Sequence, residues 1–376
     1  MKRKKLCKHN KMQNELYKQY NTSSRHKCHT HHFYCIIALL LCTGMTMSLL
    51  TGCGIKKDQS KSWVEPLDTL TNLTIYATKD DGEQLISDID AALMRYDRLF
   101  DIYNEYDGLN NLKTVNNQAG IAPVQVDLEL IELLQFSKEM YMLTNGAMNI
   151  AMGSVLSIWH DYRTWGTENP GEATLPPLEA LEAAARHTNI DDIVIDEAAQ
   201  TVYLADADMS LDVGAVAKGF VADKIESMIK AANVEHALLD MSSAIIATGS
   251  KSNGQAWRLA LQNPDMNSEN SVLHVIDLKD NVLVTSGDYQ RYYEVDGKRY
   301  HHIIDRNTLM PADTFSSVSV ISNEAALADA LSTALFCMSL QDGMALVESL
   351  ENVDALWITT DGEEIMTDGF AAFMEK

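Results

Sequence analysis

The sequence predicts a mixed α/β fold, with helices and strands alternating through a single large domain over residues 65–376. Apolar residues recur at helical spacing in 82–103 and again in 128–142. Leu70–Ala77 alternates like a strand, and Val282–Val284 is typical of a short buried strand. We find no internal repeat and no clear linker in this region, so we expect one domain or two closely joined lobes.

The remaining predicted elements follow one another along the chain. Arg163–Leu175 is rich in Gly, Pro, Thr and acidic residues and predicts a loop. A helix over Pro176–His187 and two short strands within Ile190–Asp206 come next. Further helices are predicted over Phe220–Ala232 and Glu324–Met338.

Charge is distributed unevenly. Of the 30 Lys and Arg and the 53 acidic residues, nine bases and one acid lie in residues 1–52. This leaves 21 bases and 52 acids, a formal charge of −31, in residues 53–376. So acidic a body is unsuited to nucleic acid, whose phosphates require Lys and Arg. An anionic membrane surface would also repel it unless it were tethered.

The N-terminal segment has the features of an export signal. A basic stretch precedes the apolar run Phe33–Leu50, and Thr51-Gly52-Cys53 follows. The end of this segment resembles the lipobox of bacterial lipoproteins, which implies lipidation at Cys53, a signal over 1–52 and a polar spacer over 53–64. An uncleaved anchor helix is the alternative, since about 18 apolar residues can span a bilayer. Both interpretations place the body outside the cytoplasm.

Cysteine usage agrees with export. Of the six cysteines, only Cys337 lies beyond Cys53, so the body cannot form an internal disulfide. Its stability must therefore come from a hydrophobic core. Cys337 lies in an apolar run, and we expect a buried small side chain there, not a nucleophile.

A turn and a hairpin follow the strand at Val282–Val284. Thr285–Asp288 forms the turn, and Asp296-Gly297 supplies a two-residue hairpin loop between paired strands. Strand geometry sends His301 and His302 to opposite faces, so at most one of them serves a given site. A solvated edge hairpin would show the same pattern.

Small residues fill the segment from Asp212 to Gly219, between a strand and a helix. Such residues let a ligand approach the backbone, and free amides at a helix start attract phosphate. Lys218 adds a positive charge there. An ordinary strand-to-helix turn with a solvated lysine is the alternative.

Asp329 and Thr333 are four residues apart on the predicted helix Glu324–Met338, so they share one face. Two hard oxygens at this spacing suit Mg²⁺. A polar stripe is the alternative, although an unpaired carboxylate among alanines and leucines is costly.

These three segments, taken in order, resemble the ApbE-type FAD:protein FMN transferases. The match covers roughly residues 65–345 and includes the family's T-S-G-D-Y…D-G…Y-H-H-I-I-D, D-x-G-x-x-A-K-G and A-D-A-x-x-T patterns. The resemblance implies a two-lobed, T-fold-like domain. It also implies FAD contacts at Asp212 and Lys218, and Mg²⁺ ligands at Asp329, Thr333 and the Ala215 carbonyl.

The same resemblance assigns roles in the hairpin segment. Within the family's H-I-x-D pattern, His302 is the expected acid/base, and the adjoining Ile303 is expected at the cofactor. Asp288 is expected as an orienting or secondary group. A histidine suits proton transfer because its ordinary pKa lies near neutrality.

Looser matches point to further flavin contacts. Ala147, Met148 and Asn149 stand where the family has Ala-Phe-Asp, and Tyr103 stands where it has a flavin-contacting aromatic residue. Leu67 replaces a Met that meets FAD. In addition, Ser242 and Ser243 stand where the family usually has two glycines.

The implied activity is the Mg²⁺-dependent transfer of FMN from FAD to a Thr or Ser hydroxyl of an acceptor flavoprotein, with release of AMP. By family analogy, the acceptor is a subunit of a redox pump or an extracellular electron-transfer protein. A lipid-anchored enzyme on the outer face of the cytoplasmic membrane is expected. Hydrolysis of FAD to FMN and AMP, or flavin binding without catalysis, are the alternatives.

Overall fold

Side chains alternate between buried and half-buried positions along the second strand of the main sheet. Along β2, residues of Thr71–Ala77 are buried and half-buried in turn, because successive side chains of a strand point to opposite faces. The structure is a computed structural model, and it describes residues 55–375.

The strands are β1 (Lys57–Trp63), β2 (Thr71–Ala77), β3 (Val124–Gln125), β4 (Ile193–Asp196), β5 (Thr201–Leu204), β6 (Ala237–Asp240), β7 (Ala244–Thr248), β8 (Trp257–Gln262), β9 (Val272–Leu278), β10 (Asn281–Gly287), β11 (Tyr292–Val295), β12 (Lys298–His301), β13 (Phe315–Ser322), β14 (Asp354–Thr359) and β15 (Glu364–Met366). The helices are α1 (Lys79–Leu99), α2 (Leu112–Asn117), α3 (Leu128–Leu143), α4 (Gly153–Glu168), α5 (Leu178–Ala184), α6 (Ala217–Ala231), α7 (Ala325–Cys337) and α8 (Leu340–Glu348).

Eight strands form one sheet in the order β1-β2-β6-β7-β10-β13-β14-β15, and every neighbouring pair is antiparallel. β10 lies between β7 and β13, and Val284 pairs with Val320 of β13. Val282 and Val284 of β10 point into the main core with α1, α6 and α7. Leu283 points the other way, into a second core formed with β8 and β9. The sheet is therefore covered on both faces.

A third apolar cluster joins α4 to the β11–β12 hairpin. Trp159 and Tyr293 are its largest buried members. The polar group of each side chain has a hydrogen-bond partner. The Trp159 indole N–H donates to the Leu309 carbonyl at 2.9 Å, and the Tyr293 hydroxyl donates to the Thr174 carbonyl at 3.1 Å. This packing fixes α4 beside the strand that carries His301.

Most predicted elements are confirmed. The structure has the strand at β2, the helices α1, α3 and α7, and two short strands, β4 and β5, within Ile190–Asp206. The hairpin loop is also as predicted, since Val295 pairs with Lys298 and both Asp296 and Gly297 have positive φ, at 50° and 78°. Two successive left-handed residues are typical of a type I′ turn.

The spacer predicted over 53–64 is wrong for most of its described part. Lys57–Trp63 forms β1, which pairs with β2 at the edge of the sheet. Its side chains are almost all exposed, so it lacks the apolar alternation that would reveal a strand. Backbone pairing holds it, helped by the Gln59 amide, which donates to the Thr78 carbonyl at 2.8 Å.

Two boundaries differ from prediction. The loop expected over Arg163–Leu175 begins later, because α4 continues to Glu168; packing against β11 holds this polar last turn. The helix expected from Phe220 begins earlier, at Ala217. As a result, Lys218 lies in the first turn of α6 and not in the loop before it.

Residues 1–54 lie outside the described part of the chain, and with them the predicted signal and Cys53. Among the described residues, none of the helices combines the length and apolar character needed to cross a membrane.

Asp223 of α6 caps the start of α7. Its carboxylate accepts the backbone N–H groups of Ala325 and Ala326, each at 2.8 Å. The preceding residue, Glu324, makes no capping bond of its own. Burial raises the pKa of Asp223 to about 6, against the opposing effect of these two hydrogen bonds. One side chain thus joins the two helices.

Replacing Asp223 with Ala should lower the free energy of unfolding by about 1–3 kcal/mol, because two helix-start N–H groups lose their acceptor. Urea unfolding at pH 7 measures this. Ser339→Ala, at the exposed start of α8, is the matched control and should cost about 0.5–1 kcal/mol. Equal losses in the two variants would contradict the role of Asp223.

Candidate active site

The contact between α6 and α7 places a carboxylate at the centre of the site. The Gly219 N–H donates to Asp329 Oδ2 at 2.9 Å. A Cβ atom on Gly219 would lie 2.6 Å from Asp329 Cβ and would also clash with the Ala325 carbonyl. Only glycine therefore permits this approach.

Lys218 supplies the nearest cation to this carboxylate. Its Nζ lies 4.0 Å from Asp329 Oδ1. Burial raises the pKa of the Asp329 carboxyl, whereas Lys218 and the Gly219 N–H oppose that shift. The pair sits at the first turn of α6, where backbone N–H groups lack helical partners.

Hydroxyl groups connect the end of β10 to the same face of α7. Ser286 Oγ lies 2.9 Å from Ser332 Oγ and 3.4 Å from Thr333 Oγ1. The structure thus brings the Ser-Gly-Asp turn next to the Asp329–Thr333 face of α7. Ser286 was not among the predicted site residues.

Asp212 shapes the turn that leads into α6. Its carboxylate accepts the Gly214 N–H at 2.8 Å, and its own N–H donates to the Ile150 carbonyl at 2.9 Å. Ala215, predicted as a carbonyl ligand, lies half-buried in this turn. The Asp212 turn is therefore held against the Thr144–Trp159 region.

The two histidines of the hairpin segment have different environments. His301 is buried, and its Nε2 donates to the Ala312 carbonyl at 2.7 Å while its Nδ1 accepts the Ile303 N–H at 3.2 Å. Both nitrogens are thus occupied in a structural role. His302 Nδ1 is buried and has no hydrogen-bond partner among the described residues. Of the two histidines, His302 is therefore the one with a ring nitrogen that no hydrogen bond occupies.

Cations surround His302. Burial lowers its pKa well below the usual value, and the positive charges of Arg291, Arg163 and Lys218 lower the pKa further. The imidazole is therefore neutral near pH 7 and able to accept a proton. These three cations stand out in a body with a formal charge of −31.

Asp288 does not hold His302 in the structure. Among residues 55–375 its side chain makes no hydrogen bond to the imidazole, and its charge acts on Arg299 and Tyr289 instead. Burial raises the pKa of Asp288 to about 6. The charge of Arg299, on the hairpin strand β12, opposes this shift.

Tyr103 lies near Asp212. Burial raises the pKa of Tyr103, and the negative charge of Asp212 raises it further. Its ring is 55% exposed and packs against His160 of α4, with centroids 5.2 Å apart. An exposed aromatic ring beside a charged cluster is available to stack on a planar ligand.

The other predicted flavin contacts are more enclosed. Met148 and Ile303 are buried in the main core, so only their backbone atoms remain for a ligand. Asn149 uses both ends of its amide locally, donating to the Thr188 carbonyl and accepting the Ala151 N–H. Ala147 is half-buried against the core.

Leu67 lies in a strained segment joined to the Ser242 turn. Leu67 has φ 57°, and its N–H donates to Asp97 at 2.7 Å. Two residues later, the Thr69 hydroxyl donates to the Met241 carbonyl at 3.3 Å. The segment 67–69 is thereby held against the β6–β7 connection.

The β6–β7 connection keeps a glycine-like backbone. Ser242 has φ 70°, a left-handed conformation that favours glycine, and its N–H donates to Asp240 at 2.9 Å. Ser243 does not share the positive φ, and its hydroxyl is buried without a partner among the described residues. Only the first of the two serines therefore stands where glycine's freedom matters.

The oxygen atoms at this centre fit a hard cation. Asp329, Thr333 and Ser286 offer one carboxylate and two hydroxyls close together, which suits Mg²⁺. The described residues contain another ligand-like group, His187 with Asp206 and Asp208, which sequence reasoning missed. In that group His187 Nδ1 bonds Asp206 at 2.7 Å, and hydrogen bonding accounts for the arrangement without a metal.

Sequence reasoning also missed His160, Arg163 and Arg291. Arg163 and His160 lie three residues apart on α4, but Arg163 was assigned to a loop, which concealed their shared face. Arg291 lies three residues after Asp288 of the Ser-Gly-Asp turn. This position was the only sequence feature that could have pointed to Arg291 as a site residue.

Comparison with known proteins agrees with this fold and site. The ApbE family model matches residues 67–357. FAD:protein FMN transferase of Treponema pallidum (strain Nichols) is 36% identical over 266 residues, covering 66% of this chain and 71% of the relative. The protein of that name from Klebsiella pneumoniae (strain 342) is 28% identical over 282 residues, covering 72% and 84%.

Solved structures show the same architecture. The Thermotoga maritima ApbE protein superposes with a TM-score of 0.74 at 26% identity, covering 85% of this chain and all of that one. Flavin transferase ApbE from Vibrio cholerae gives a TM-score of 0.72 at 24% identity, covering 85% and 99%. A single ApbE-like domain therefore accounts for the described chain.

Fold and site define an α/β enzyme of the transferase class. The chain belongs to the ApbE family.

Replacing Gly219 with Ala should lower the free energy of unfolding by about 1–3 kcal/mol, because the new methyl group forces α6 and α7 apart. Chemical denaturation measures the loss. Gly171→Ala is the matched control, since an added Cβ there meets nothing within 4 Å; its effect should stay within about 0.5 kcal/mol. A tolerated Gly219→Ala would show that the contact is not tight.

Ser242→Gly should leave stability unchanged or raise it by up to about 1 kcal/mol, because glycine removes the left-handed strain. Ser243→Gly is the neighbouring control and should cost about 0.5–1 kcal/mol through backbone entropy. Thermal unfolding of both variants tests the difference, and the opposite ranking would contradict the strain at Ser242.

Proposed function

We propose that the chain transfers FMN from FAD to a Thr or Ser hydroxyl of an acceptor flavoprotein and releases AMP. The observation that carries the proposal is the arrangement on α7: Lys218 and the Gly219 N–H lie at the Asp329 carboxylate, and Thr333, one helical turn further on, lies 3.4 Å from Ser286 Oγ. Family membership supports it, since the relatives named above are FAD:protein FMN transferases.

The reaction is a phosphoryl transfer. The acceptor oxygen forms a bond to the FMN-side phosphorus of FAD, the bond from that phosphorus to the bridging oxygen breaks, and AMP leaves with that oxygen. The hydroxyl proton passes to His302; its neutral imidazole and the absence of a hydrogen-bond partner for Nδ1 among the described residues support this role. Positioning and charge stabilisation supply most of the catalysis in such reactions.

Asp329, Thr333 and the Ala215 carbonyl would hold Mg²⁺, with Ser286 beside them. The ion, when bound, neutralises charge on the diphosphate. Lys218 adds a fixed positive charge at the first turn of α6, next to backbone N–H groups suited to phosphate oxygens. Tyr103 and the Asp212 turn would meet the flavin and the rest of the nucleotide.

We further propose that Cys53 is lipidated and that the domain works on the outer face of the cytoplasmic membrane. The support is the basic and apolar segment that precedes Cys53. The acceptor would then be a redox-pump or extracellular electron-transfer subunit.

Incubating the purified protein with FAD, Mg²⁺ and an acceptor flavoprotein domain tests the activity. Flavin that stays on the denatured acceptor, with AMP released in equal amount, is the expected result. AMP and free FMN without a labelled acceptor would show hydrolysis instead. Binding of FAD with no AMP release would overturn both enzymatic readings.

Asp329→Asn should reduce Mg²⁺-dependent AMP release by about 100-fold or more, since the charged ligand is lost. Asn keeps an acceptor for the Gly219 N–H, so the helix contact survives. Asp191→Ala, at an exposed acid, is the control and should match the wild type. Unchanged AMP release in Asp329→Asn would remove Asp329 from the metal site.

A further inference from the structure

We propose that His160 is a positioning residue for the flavin nucleotide, whose Nδ1 atom holds both the Tyr103 ring and the Arg163 guanidinium at the site. The inference rests on the proposed function, because it takes the FAD-binding side of the molecule to be the side where these residues lie. His160 lies on α4 and is not among the site residues that the resemblance assigns.

Hydrogen-bond direction defines the state of the imidazole. Arg163 Nη2 lies 3.2 Å from His160 Nδ1, and the Tyr103 hydroxyl lies 3.4 Å from the same atom. A guanidinium can only donate, so Nδ1 must carry a lone pair. His160 is therefore neutral with its proton on Nε2, and the Arg163 and Tyr103 donors share the single Nδ1 lone pair.

Tyr103 depends on this contact. Within the described chain, His160 gives the Tyr103 ring its only aromatic neighbour and its only side-chain hydrogen bond, with the ring planes tilted by 36°. The Tyr103 backbone is fixed separately, by its N–H donating to Asp101 at 2.6 Å. His160 is thus the side chain that orients the Tyr103 ring, through one ring contact and one hydrogen bond.

Arg163 depends on it as well. The guanidinium is half-buried and has no carboxylate within ion-pair distance among residues 55–375. Burial lowers the pKa of Arg163, and the charge of Arg291 lowers it further. A half-buried guanidinium without a carboxylate partner suits a phosphate oxygen, and the proposed substrate supplies a diphosphate.

His160 thereby connects two parts of one ligand. Its Nδ1 orients an aromatic ring suited to a flat heterocycle and a guanidinium suited to phosphate. Protonation of Nδ1 would remove the acceptor that the Arg163 guanidinium needs, whereas the Tyr103 hydroxyl could turn to accept the new N–H. The groups that face His160 are Arg163, which disfavours protonation, and Asp161, Asp212 and Asp68, which favour it. Burial and Arg163 prevail and lower the pKa of His160.

Two substitutions separate the hydrogen bond from the ring. His160→Phe keeps an aromatic surface and removes the acceptor, whereas His160→Asn places an acceptor oxygen near the position of Nδ1. His274→Phe is the matched control, because His274 lies on β9 and pairs with Glu364. FAD affinity is measured by flavin fluorescence without acceptor protein, from pH 5 to 8, and KM and kcat are measured with acceptor.

We expect His160→Phe to weaken FAD binding about 10-fold at pH 7, as for loss of a hydrogen bond to a charged donor. KM should rise more than kcat falls. His160→Asn should recover most of the affinity, and His274→Phe should bind like the wild type. Wild-type affinity should decline in acid as His160 gains its proton, and this decline should be smaller in His160→Phe.

Wild-type affinity in His160→Phe would overturn the inference, as would equal losses in the Phe and Asn variants with an unchanged pH profile, which indicate packing alone. In both cases the proposed transfer still stands if the wild type labels the acceptor. Normal FAD binding without transfer overturns the proposed function and leaves the role of His160 supported by the affinities. A wild type that binds no FAD overturns both.

Discussion

The hydrogen bond from the Gly219 N–H to the buried Asp329 carboxylate is the constraint on which the site depends. It forms only because glycine lets α6 approach α7. Asp223 then caps α7 from α6, one turn further along. With both bonds in place, Lys218, Asp329 and Thr333 have fixed relative positions before any ligand arrives. Such preorganisation is what a charge-stabilising phosphoryl-transfer site requires.

Much of this centre could be predicted from the sequence because its signals are local. Asp329 and Thr333 share a helix face by spacing alone, and the Asp296-Gly297 turn fixes the register of the strand that leads to His302. Residues whose role depends on distant packing could not be found in this way. Arg163 belongs to a helix whose last turn is polar and is held by the β11 hairpin, so composition favoured a loop.

Other mismatches have the same origin. β1 is exposed on nearly every side chain, and only pairing with β2 makes it a strand. Met148 stands where the family has a flavin contact, yet it is packed in the main core. Ser242 shows the converse: the residue changed while the backbone kept φ 70°. A left-handed backbone is therefore present at this position without a glycine.

The hydroxyls of Ser286, Ser332 and Thr333 have a consequence for how the centre responds to charge. Ser332 Oγ donates to the Asp329 carbonyl at 3.0 Å, whereas in the Ser286–Thr333 pair either oxygen can act as donor, and these hydrogens rotate without moving a heavy atom. A cation reaching these oxygens would meet lone pairs after simple rotations of O–H bonds, and its departure would reverse them. The hydroxyls can therefore present either hydrogens or lone pairs to a ligand on the timescale of O–H rotation, while the surrounding helices and sheet stay in place.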